Sequence, residues 1–266
     1  MRRRVLMSAG GGNNLPETKG VYAYFADGSV STATSYTAAQ QANILGVAVT
    51  DTYDSKLVRF VISKYQYNQT IMFGAYNVDL TGKVLITSDQ TAALKDMKGK
   101  TNSKAIIAAC AGKTGSSAAV TCLECAKTTH FPNGEGYCPS LGEWQVAYNN
   151  KSAIDTMMTA IGGTAIPDCY NVQDDFITKC NTKCYSGEHT ECNICSIQTT
   201  NIVNADTEVK IAAWYYFDSR INYLRSYGVR AYSTCSGRYF TYRYPYCRAF
   251  WCPGDLNSDG SGPYAS

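Results

Sequence analysis

The first third of the chain carries short runs of apolar, β-branched and aromatic residues, which is the pattern of β-strands. Polar or turn-forming residues separate the runs, and Asp27-Gly28 after the first of them predicts a tight turn. The predicted strands are Gly20–Phe25, Ile44–Thr50, Leu57–Ser63, Ile71–Phe73 and Val84–Ile86. This part of the sequence therefore predicts a β-sheet, and we expect its strands to be antiparallel.

The middle of the chain changes to the three- and four-residue spacing of amphipathic helices. Ser140 with Glu143, and Ser152 with Asp155, each fit a capping box, in which a serine begins a helix and an acid three residues later completes the cap. Gly162-Gly163 predicts the end of the second helix. The face that we expect to pack against the sheet comprises Leu141, Trp144, Tyr148, Ile154, Met157, Met158 and Ile161.

Weaker signals lie on either side of these two helices. A helical stretch opens at Thr87-Ser88-Asp89 and is expected to end at Gly99, whereas Ala105–Cys110 fits a buried helix or a buried strand. Further along, the pattern returns to strands, which we predict at Val209–Phe217, Gly228–Tyr232 and Arg238–Tyr244. The order of strands, helices and strands predicts one α+β domain over residues 18–250, with two helices packed on an antiparallel β-sheet.

The two ends of the chain differ in composition from the predicted domain. Residues 1–17 carry three arginines directly after Met1 and continue into a Gly/Asn-rich stretch, so we expect a flexible arm or attachment segment. The apolar stretch after the arginines is too short for a secretory signal peptide. Residues 251–266 are rich in Gly, Asp and Ser and predict a polar tail.

Overall composition excludes two classes of protein. The chain has 266 residues, of which 45% are hydrophobic and 12% aromatic, and its formal net charge is only +3. A disordered chain would be less hydrophobic and more strongly charged, and no apolar run reaches the roughly 18 residues that a membrane-spanning helix requires. The sequence therefore predicts a folded domain without a membrane span.

Residues 215–250, called here the Tyr/Arg segment, differ from the rest of the chain. They contain nine of the 21 tyrosines and six arginines but a single acid, Asp218. Lys, Glu, Gln, Met and Trp are absent from the segment, which chance would produce on the order of once in a thousand segments of this length. A mixture of Tyr, Arg, Ser, Gly and Asn is typical of binding surfaces. The alternatives are a Tyr-rich strand pair with outward arginines for solubility, and a nucleic-acid site, for which no motif is present.

Several motifs in the middle and near the end of the chain resemble those of the C-type-lectin fold. They are Phe131–Gly134, Gly136-Tyr137, Pro139–Trp144, Asn149–Ile161, Ala213-Trp214 and Arg248–Phe250. Within that fold, the chain most resembles the variable proteins of diversity-generating retroelements, among which are phage tropism determinants and tail adhesins. In those proteins template adenines are miscopied, so that asparagine codons change to codons for other residues but never for Lys, Glu, Gln, Met or Trp.

The resemblance implies a receptor-binding protein with a hypervariable binding face in the Tyr/Arg segment. The implied ligand-binding residues are Tyr216, Asp218, Arg220, Asn222, Tyr223, Arg225, Tyr227, Tyr239, Tyr242, Tyr244 and Tyr246. Trp214, Val229, Ala231 and Phe250 are expected to stay buried. The expected partner is a protein or glycan receptor on a host cell, with the arm attaching the domain to a phage tail or a cell surface. A homo-oligomer such as a trimer is compatible with this interpretation.

Two other functions remain open at this point. One is a bacterial surface or fimbrial adhesin of the same fold. The other is an oxidase of the formylglycine-generating type, in which Cys235 and Cys247 would form the reactive pair, although the residues around them do not match that enzyme. Because neither His130 nor His189 lies in a recognisable nucleophile motif, we predict no catalytic residue and no enzymatic activity.

The cysteines raise a separate question. Cys180, Cys184, Cys192 and Cys195 have the short paired spacing of a structural zinc site, with two disulfides or free thiols as the alternatives. A second candidate metal set comprises Cys122, Cys125, His130 and Cys138. In the tail, Asp255–Gly260 resembles the opening of a calcium loop but lacks the acid at the twelfth position, which favours a polar Asx turn.

Overall fold

The structure is a computed structural model that describes residues 15–66, 80–85, 87, 89–111, 131, 136–166, 199–206, 209–212, 215–218, 223–226, 248–252 and 256–261. The predicted strands Ile71–Phe73, Gly228–Tyr232 and Arg238–Tyr244 lie outside these residues. Within them, helices and antiparallel strands form a mixed α+β arrangement, which confirms the predicted fold class at that level.

The described strands form a central sheet and two separate hairpins. They are β1 (Gly20–Phe25), β2 (Val30–Ser31), β3 (Ile44–Tyr53), β4 (Lys56–Ser63), β5 (Ile202–Asp206), β6 (Val209–Ala212), β7 (Tyr215–Asp218), β8 (Tyr223–Ser226) and β9 (Phe250–Trp251). The central sheet is five-stranded and antiparallel, in the order β2-β1-β3-β4-β9, while β5 pairs with β6 and β7 pairs with β8. Three of the predicted strands are confirmed as β1, β3 and β4.

Turns and changes of strand pairing explain one confirmed prediction and two wrong ones. Gly28 has a φ of 83°, which fits the turn predicted after β1. The strand predicted to begin at Val84 is wrong, because residues 80–85 form a turn from which Val84 packs into the core. The single predicted strand Val209–Phe217 is also wrong, because it is divided between β6 and β7, which belong to different hairpins. An apolar run alone does not show where a chain changes its pairing partner.

Five helices are present among the described residues. They are α1 (Ala38–Ala42), α2 (Gln90–Leu94), α3 (Gly99–Cys110), α4 (Leu141–Asn149) and α5 (Lys151–Ala160). The segment Ala105–Cys110, which fitted a helix or a strand, is helical. The prediction that Gly99 ends a helix is wrong, since Gly99 is the first residue of α3. A Cβ on Gly99 would lie only 2.2 Å from Oε2 of Glu143, so close packing explains the glycine.

The caps of α4 and α5 follow the sequence only in part. The capping box of Ser140 and Glu143 is present, and α5 ends at Ala160, followed by Ile161 and by Gly162 with a φ of 70°, which fits the predicted end. The second capping box is wrong, because α5 begins after Asn150 and Ser152 lies inside the helix. Asp155 instead accepts hydrogen bonds from Lys151 Nζ and from the backbone N–H of Ile166. A single residue, Asn150, thus ends α4 and begins α5.

Both faces of the central sheet are covered. On one face, side chains of β3 and β4 pack against the predicted apolar faces of α4 and α5, and Trp144, Ile154 and Met158 are each fully buried there. The ring of Phe250 in β9 lies 4.9 Å from the rings of both Phe60 and Trp144, measured between centroids. On the other face lie Tyr22, Tyr24, Ala48, Val61, Ile106 and Trp251. Alternate residues of β3 and β4 therefore enter two different cores.

The described structure extends past both predicted domain boundaries. Leu15 is only 3% exposed, and its carbonyl accepts a hydrogen bond from Arg59 Nη1 at 3.0 Å. At the other end, Trp251 belongs to β9, and Ser258 is buried with its carbonyl bonded to the Arg59 N–H. Buried residues thus lie outside residues 18–250 on both sides, at Leu15 and at Trp251, Cys252 and Ser258, and the division of the chain into arm, domain and tail stays a prediction. None of the helices in the described ranges is long and apolar enough to cross a membrane.

Candidate ligand-binding site

The hairpin of β7 and β8 contains the part of the Tyr/Arg segment in which strand pairing is described. Tyr216 is paired with Arg225, and Asp218 is paired with Tyr223. Because strand residues alternate between the two faces and paired residues share a face, these four positions lie on one face of the hairpin. The opposite face carries Tyr215, Phe217, Leu224 and Ser226. The strand register thus brings the predicted binding residues to one face of the hairpin and the more apolar residues to the other.

The face defined by these four positions, called here the β7–β8 face, combines several kinds of binding chemistry. It contains one acid, one guanidinium and two phenols, so it offers both donors and acceptors of hydrogen bonds. Directly paired positions have Cβ atoms about 5 Å apart, which is close enough for one ligand group to bind at both. The other predicted binding residues lie outside the described residues, and they are Arg220, Asn222, Tyr227, Tyr239, Tyr242, Tyr244 and Tyr246.

The chain is fixed immediately upstream of the two hairpins. Thr199, Thr200 and Asn201, called here the upstream anchor, are each at most 1% exposed. The N–H of Thr200 donates to the Pro139 carbonyl at 2.9 Å, and Asn201 Oδ1 accepts from the N–H of Leu141 at 2.7 Å. These bonds join the start of β5 to the start of α4.

The chain is fixed again where it returns to the sheet. Residues Arg248–Cys252, called here the downstream anchor, are each at most 5% exposed. Arg248 Nη1 donates to the Ser63 carbonyl at 2.9 Å, and the N–H of Phe250 donates to the Tyr137 carbonyl at the same distance. Arg248 is one of the six arginines of the Tyr/Arg segment, but it belongs to the core. Phe250 is buried as predicted, whereas Trp214, Val229 and Ala231 lie outside the described residues.

A buried carboxyl group lies at the first turn of α4, next to the upstream anchor. Glu143 Oε1 accepts a hydrogen bond from Tyr137 Oη at 2.9 Å, and Oε2 accepts from the N–H of Ser140 at 2.7 Å. Burial raises the pKa of Glu143 to about 7, although hydrogen bonds from Ser140, Ser258 and Tyr137 act in the opposite direction. Burial, followed by the charge of Glu143, raises the pKa of Tyr137 well above its ordinary value. The scaffold therefore contains a carboxyl group that titrates near neutral pH.

The β7–β8 hairpin lies against the same part of the scaffold. Strand β8 runs beside α2 and α4, the two helices whose ends meet at Ser140. Ser140 Oγ donates to the carbonyl of Asp96, two residues past the end of α2, at 2.6 Å. The upstream anchor, the start of α4 and the end of α2 therefore form one connected platform beside the hairpin.

The predicted metal sites fall mostly outside the described residues, which include none of the cysteines 180, 184, 192 and 195. Cys138 of the second candidate set and Cys252 are both buried, and neither forms a disulfide. In the described part of the chain, no group of three or more His, Cys, Asp or Glu side chains is placed to hold a metal ion. In the tail, Asp259 Oδ1 accepts from the N–H of Ser261, which is the predicted Asx-turn bonding, whereas Asn257 Oδ1 accepts from Thr101 Oγ1 of α3.

Sequence reasoning missed the polar residues that build the platform. Asp96, Asn102 and Asn201 carry no periodic or motif signal, and the hydrogen bond from Asn201 to Asp96 joins residues 105 positions apart. The one available signal was the Ser140–Glu143 capping box, which identifies the helix start but not the burial of the carboxyl group. Comparisons of the chain with protein-family models, with curated proteins and with solved structures find no match.

Proposed function

We propose that the chain is a receptor-binding protein of the C-type-lectin-like type, whose Tyr/Arg segment forms a diversified ligand-binding face. The observation that carries the proposal is the register of β7 and β8. It brings Tyr216, Asp218, Tyr223 and Arg225 to one face and leaves the more apolar positions on the other. Binding is non-covalent, and the partner is a receptor on the surface of a host cell.

Two further observations support this proposal. The missing residue types in the Tyr/Arg segment are those that substitution at the adenines of asparagine codons cannot produce. Buried residues also lie on both sides of the two hairpins, since the upstream anchor precedes β5 and the downstream anchor contains the end of the segment. A scaffold that accepts many different residues at its binding face needs fixed neighbours, because a packed core tolerates changes of volume poorly.

The origin of the missing residue types in the Tyr/Arg segment can be tested in the genome that encodes the chain. The proposal predicts a reverse-transcriptase gene and a near-identical repeat of the coding sequence for residues 215–250. The two copies should differ at adenines of the template repeat, and the codons for Tyr216, Asp218, Tyr223 and Arg225 should be among those that differ. Diversification by a retroelement would be contradicted if the genome has no such repeat, or if the two copies differ at all four template bases and not at adenines alone.

The role in binding is tested with a four-residue variant of the β7–β8 face. Tyr216→Ser, Asp218→Asn, Tyr223→Ser and Arg225→Ser together should leave the melting temperature nearly unchanged, because the proposal requires a solvent-facing surface, where substitutions usually cost under about 0.5 kcal/mol each. The same variant should lose the attachment of labelled protein to bacterial cells that bind the wild type.

The matched control changes the other face of the same hairpin. Phe217→Ser with Leu224→Ser should lower stability by about 2 kcal/mol or more if the apolar face is packed. The binding proposal is wrong if the four-residue variant unfolds, or if it remains folded and attaches to the cells as the wild type does.

A further inference from the structure

The carboxylate of Asp96 is the centre of a buried polar network at the platform beside β8. Its Oδ2 accepts hydrogen bonds from Nδ2 of Asn102 and from Nδ2 of Asn201, both at 2.8 Å. Its Oδ1 accepts from the N–H of Lys98 at 2.9 Å. Asp96 is 9% exposed and Asn201 is fully buried, so these donors replace the water that would otherwise solvate the carboxylate.

Asn201 uses both ends of its amide in this network. Nδ2 donates to Asp96, which follows α2, while Oδ1 accepts from the N–H of Leu141, the first residue of α4. Thr199 Oγ1 donates to the same Oδ1 at 3.2 Å. A side chain with only acceptors or only donors cannot make both contacts. The network therefore fixes the end of α2 against the start of α4 through one amide.

The same two helices are the neighbours of β8, which carries Tyr223 and Arg225 of the β7–β8 face. Asn201 also immediately precedes β5, the first strand between the two anchors. Asn201 is thus connected to the β7–β8 face in two ways, along the chain that leads to the hairpins and through the helices beside β8.

We infer that Asn201, fixed by Asp96 and Leu141, is a positioning residue for the β7–β8 face. The amide holds the platform and the start of β5 in one arrangement whatever residues occupy the face. The inference rests on the proposed function only for the claim that the face binds a ligand. The positioning itself is a property of the folded chain and is measured without one.

The test uses two substitutions, Asn201→Asp and Asp96→Asn, which together exchange the amide and the carboxylate of this pair. Asn201→Asp keeps the shape of the side chain and the acceptor for Leu141, but it places a second buried carboxylate against Asp96. Adding Asp96→Asn supplies an amide donor to the carboxylate introduced at position 201, and the Asn102 amide can turn to accept from that new amide. The matched control is Asn43→Asp, because Asn43 is exposed and its Nδ2 bonds only locally, to the Ala39 carbonyl.

The measurement is hydrogen exchange of backbone amides, resolved by segment. In Asn201→Asp we expect protection of β5–β8 to fall by about tenfold or more, since an unpaired buried polar group shifts an opening equilibrium by that factor. The protection of backbone amides in β3 and β4 should change by less than about threefold, because the hydrogen bonds between these two strands stay intact. The double variant should recover most of the lost protection, and Asn43→Asp should match the wild type.

Two results would overturn the inference. If Asn201→Asp lowers the protection from hydrogen exchange equally in β3, β4 and the hairpins, Asn201 contributes to global stability and does not position the hairpins. Unchanged protection of β5–β8 in a folded Asn201→Asp variant would show that the amide does not position the hairpins. If the proposed function fails while local protection is lost and then rescued as expected, Asn201 still positions this surface, and only its ligand-binding role is withdrawn.

Discussion

Replacing Glu143 with glutamine should change how the stability of the protein depends on pH. The carboxyl group has an ordinary pKa of 4.5, and burial raises its pKa in the folded protein to about 7. Below pH 4.5 the group is protonated in both the folded and the unfolded chain, so it contributes no pH dependence. Between pH 4.5 and 7 only the unfolded chain releases the proton, so the free energy of unfolding falls as pH rises.

The size of the effect follows from the pKa difference. Each unit corresponds to about 1.4 kcal/mol, so the wild type should lose on the order of 3 kcal/mol across this range, and the loss should level off above about pH 7. Glutamine has no proton to release. Its carbonyl can accept from Ser140, and its amide can donate to the hydroxyl of Tyr137, so the hydrogen bonds around residue 143 can be retained.

The assay is urea denaturation of wild type and Glu143→Gln at several values between about pH 5 and about pH 8. Taking the difference between the two free energies cancels the titration of the other groups. This difference should shift in favour of the variant by about 2.5 kcal/mol between about pH 5 and about pH 8, because part of the titration lies below pH 5. Glu17→Gln is the control, because the Glu17 side chain is 83% exposed and its ion pair with Arg59, at 3.9 Å, lies at the surface, so removing its charge should change the free energy of unfolding by less than about 1 kcal/mol. A constant difference for Glu143→Gln would refute the reasoning.

Three further predictions concern the core, the platform and the cysteine-rich insert. Trp144→Ala should cost about 3–5 kcal/mol in chemical denaturation because the ring is fully buried, and a loss well under about 1 kcal/mol would contradict that packing. Gly99→Ala should cost about 1–3 kcal/mol, since the new Cβ would meet Oε2 of Glu143, and an unchanged melting temperature would show that α3 shifts freely. Residues 180–195 should be cross-linked or metallated, which elemental analysis and thiol counting on native protein will check. Four freely reactive thiols without metal would exclude both states.

The strands and the helix faces of the scaffold could be predicted because their signals are local. The β-branched runs of β3 and β4 and the helical spacing of Trp144, Tyr148 and Ile154 each follow from a few neighbouring residues. The wrong predictions had local signals too, but contacts elsewhere decided the outcome. Ser152 fits a capping box, yet α5 already begins at Lys151, because Asn150 both ends α4 and starts the next helix.

The candidate site could be predicted only at the level of composition and strand register. The missing residue types mark the Tyr/Arg segment, and alternation along a strand groups Tyr216 with Asp218. The burial of Phe250 in the downstream anchor was predicted, but Arg248 and Asn201 could not be found in this way, because arginine and asparagine are usually exposed and their burial depends on distant partners. Arg248, for example, bonds to the carbonyl of Ser63, 185 residues away.

Strand β9 also determines when the protein can complete its fold during synthesis. β4 can pair with β3 as soon as both have left the ribosome, but the partner on its other edge, Phe250–Trp251, is translated only after residues 202–247. A premature stop codon or a frameshift within the Tyr/Arg segment removes β9 together with the Phe250 ring that packs on Phe60 and Trp144. The truncated chain then exposes an unpaired strand edge and an open core, which proteases recognise. Because β9 is the last strand to be made, any chain that ends before it lacks the residues that close this side of the core.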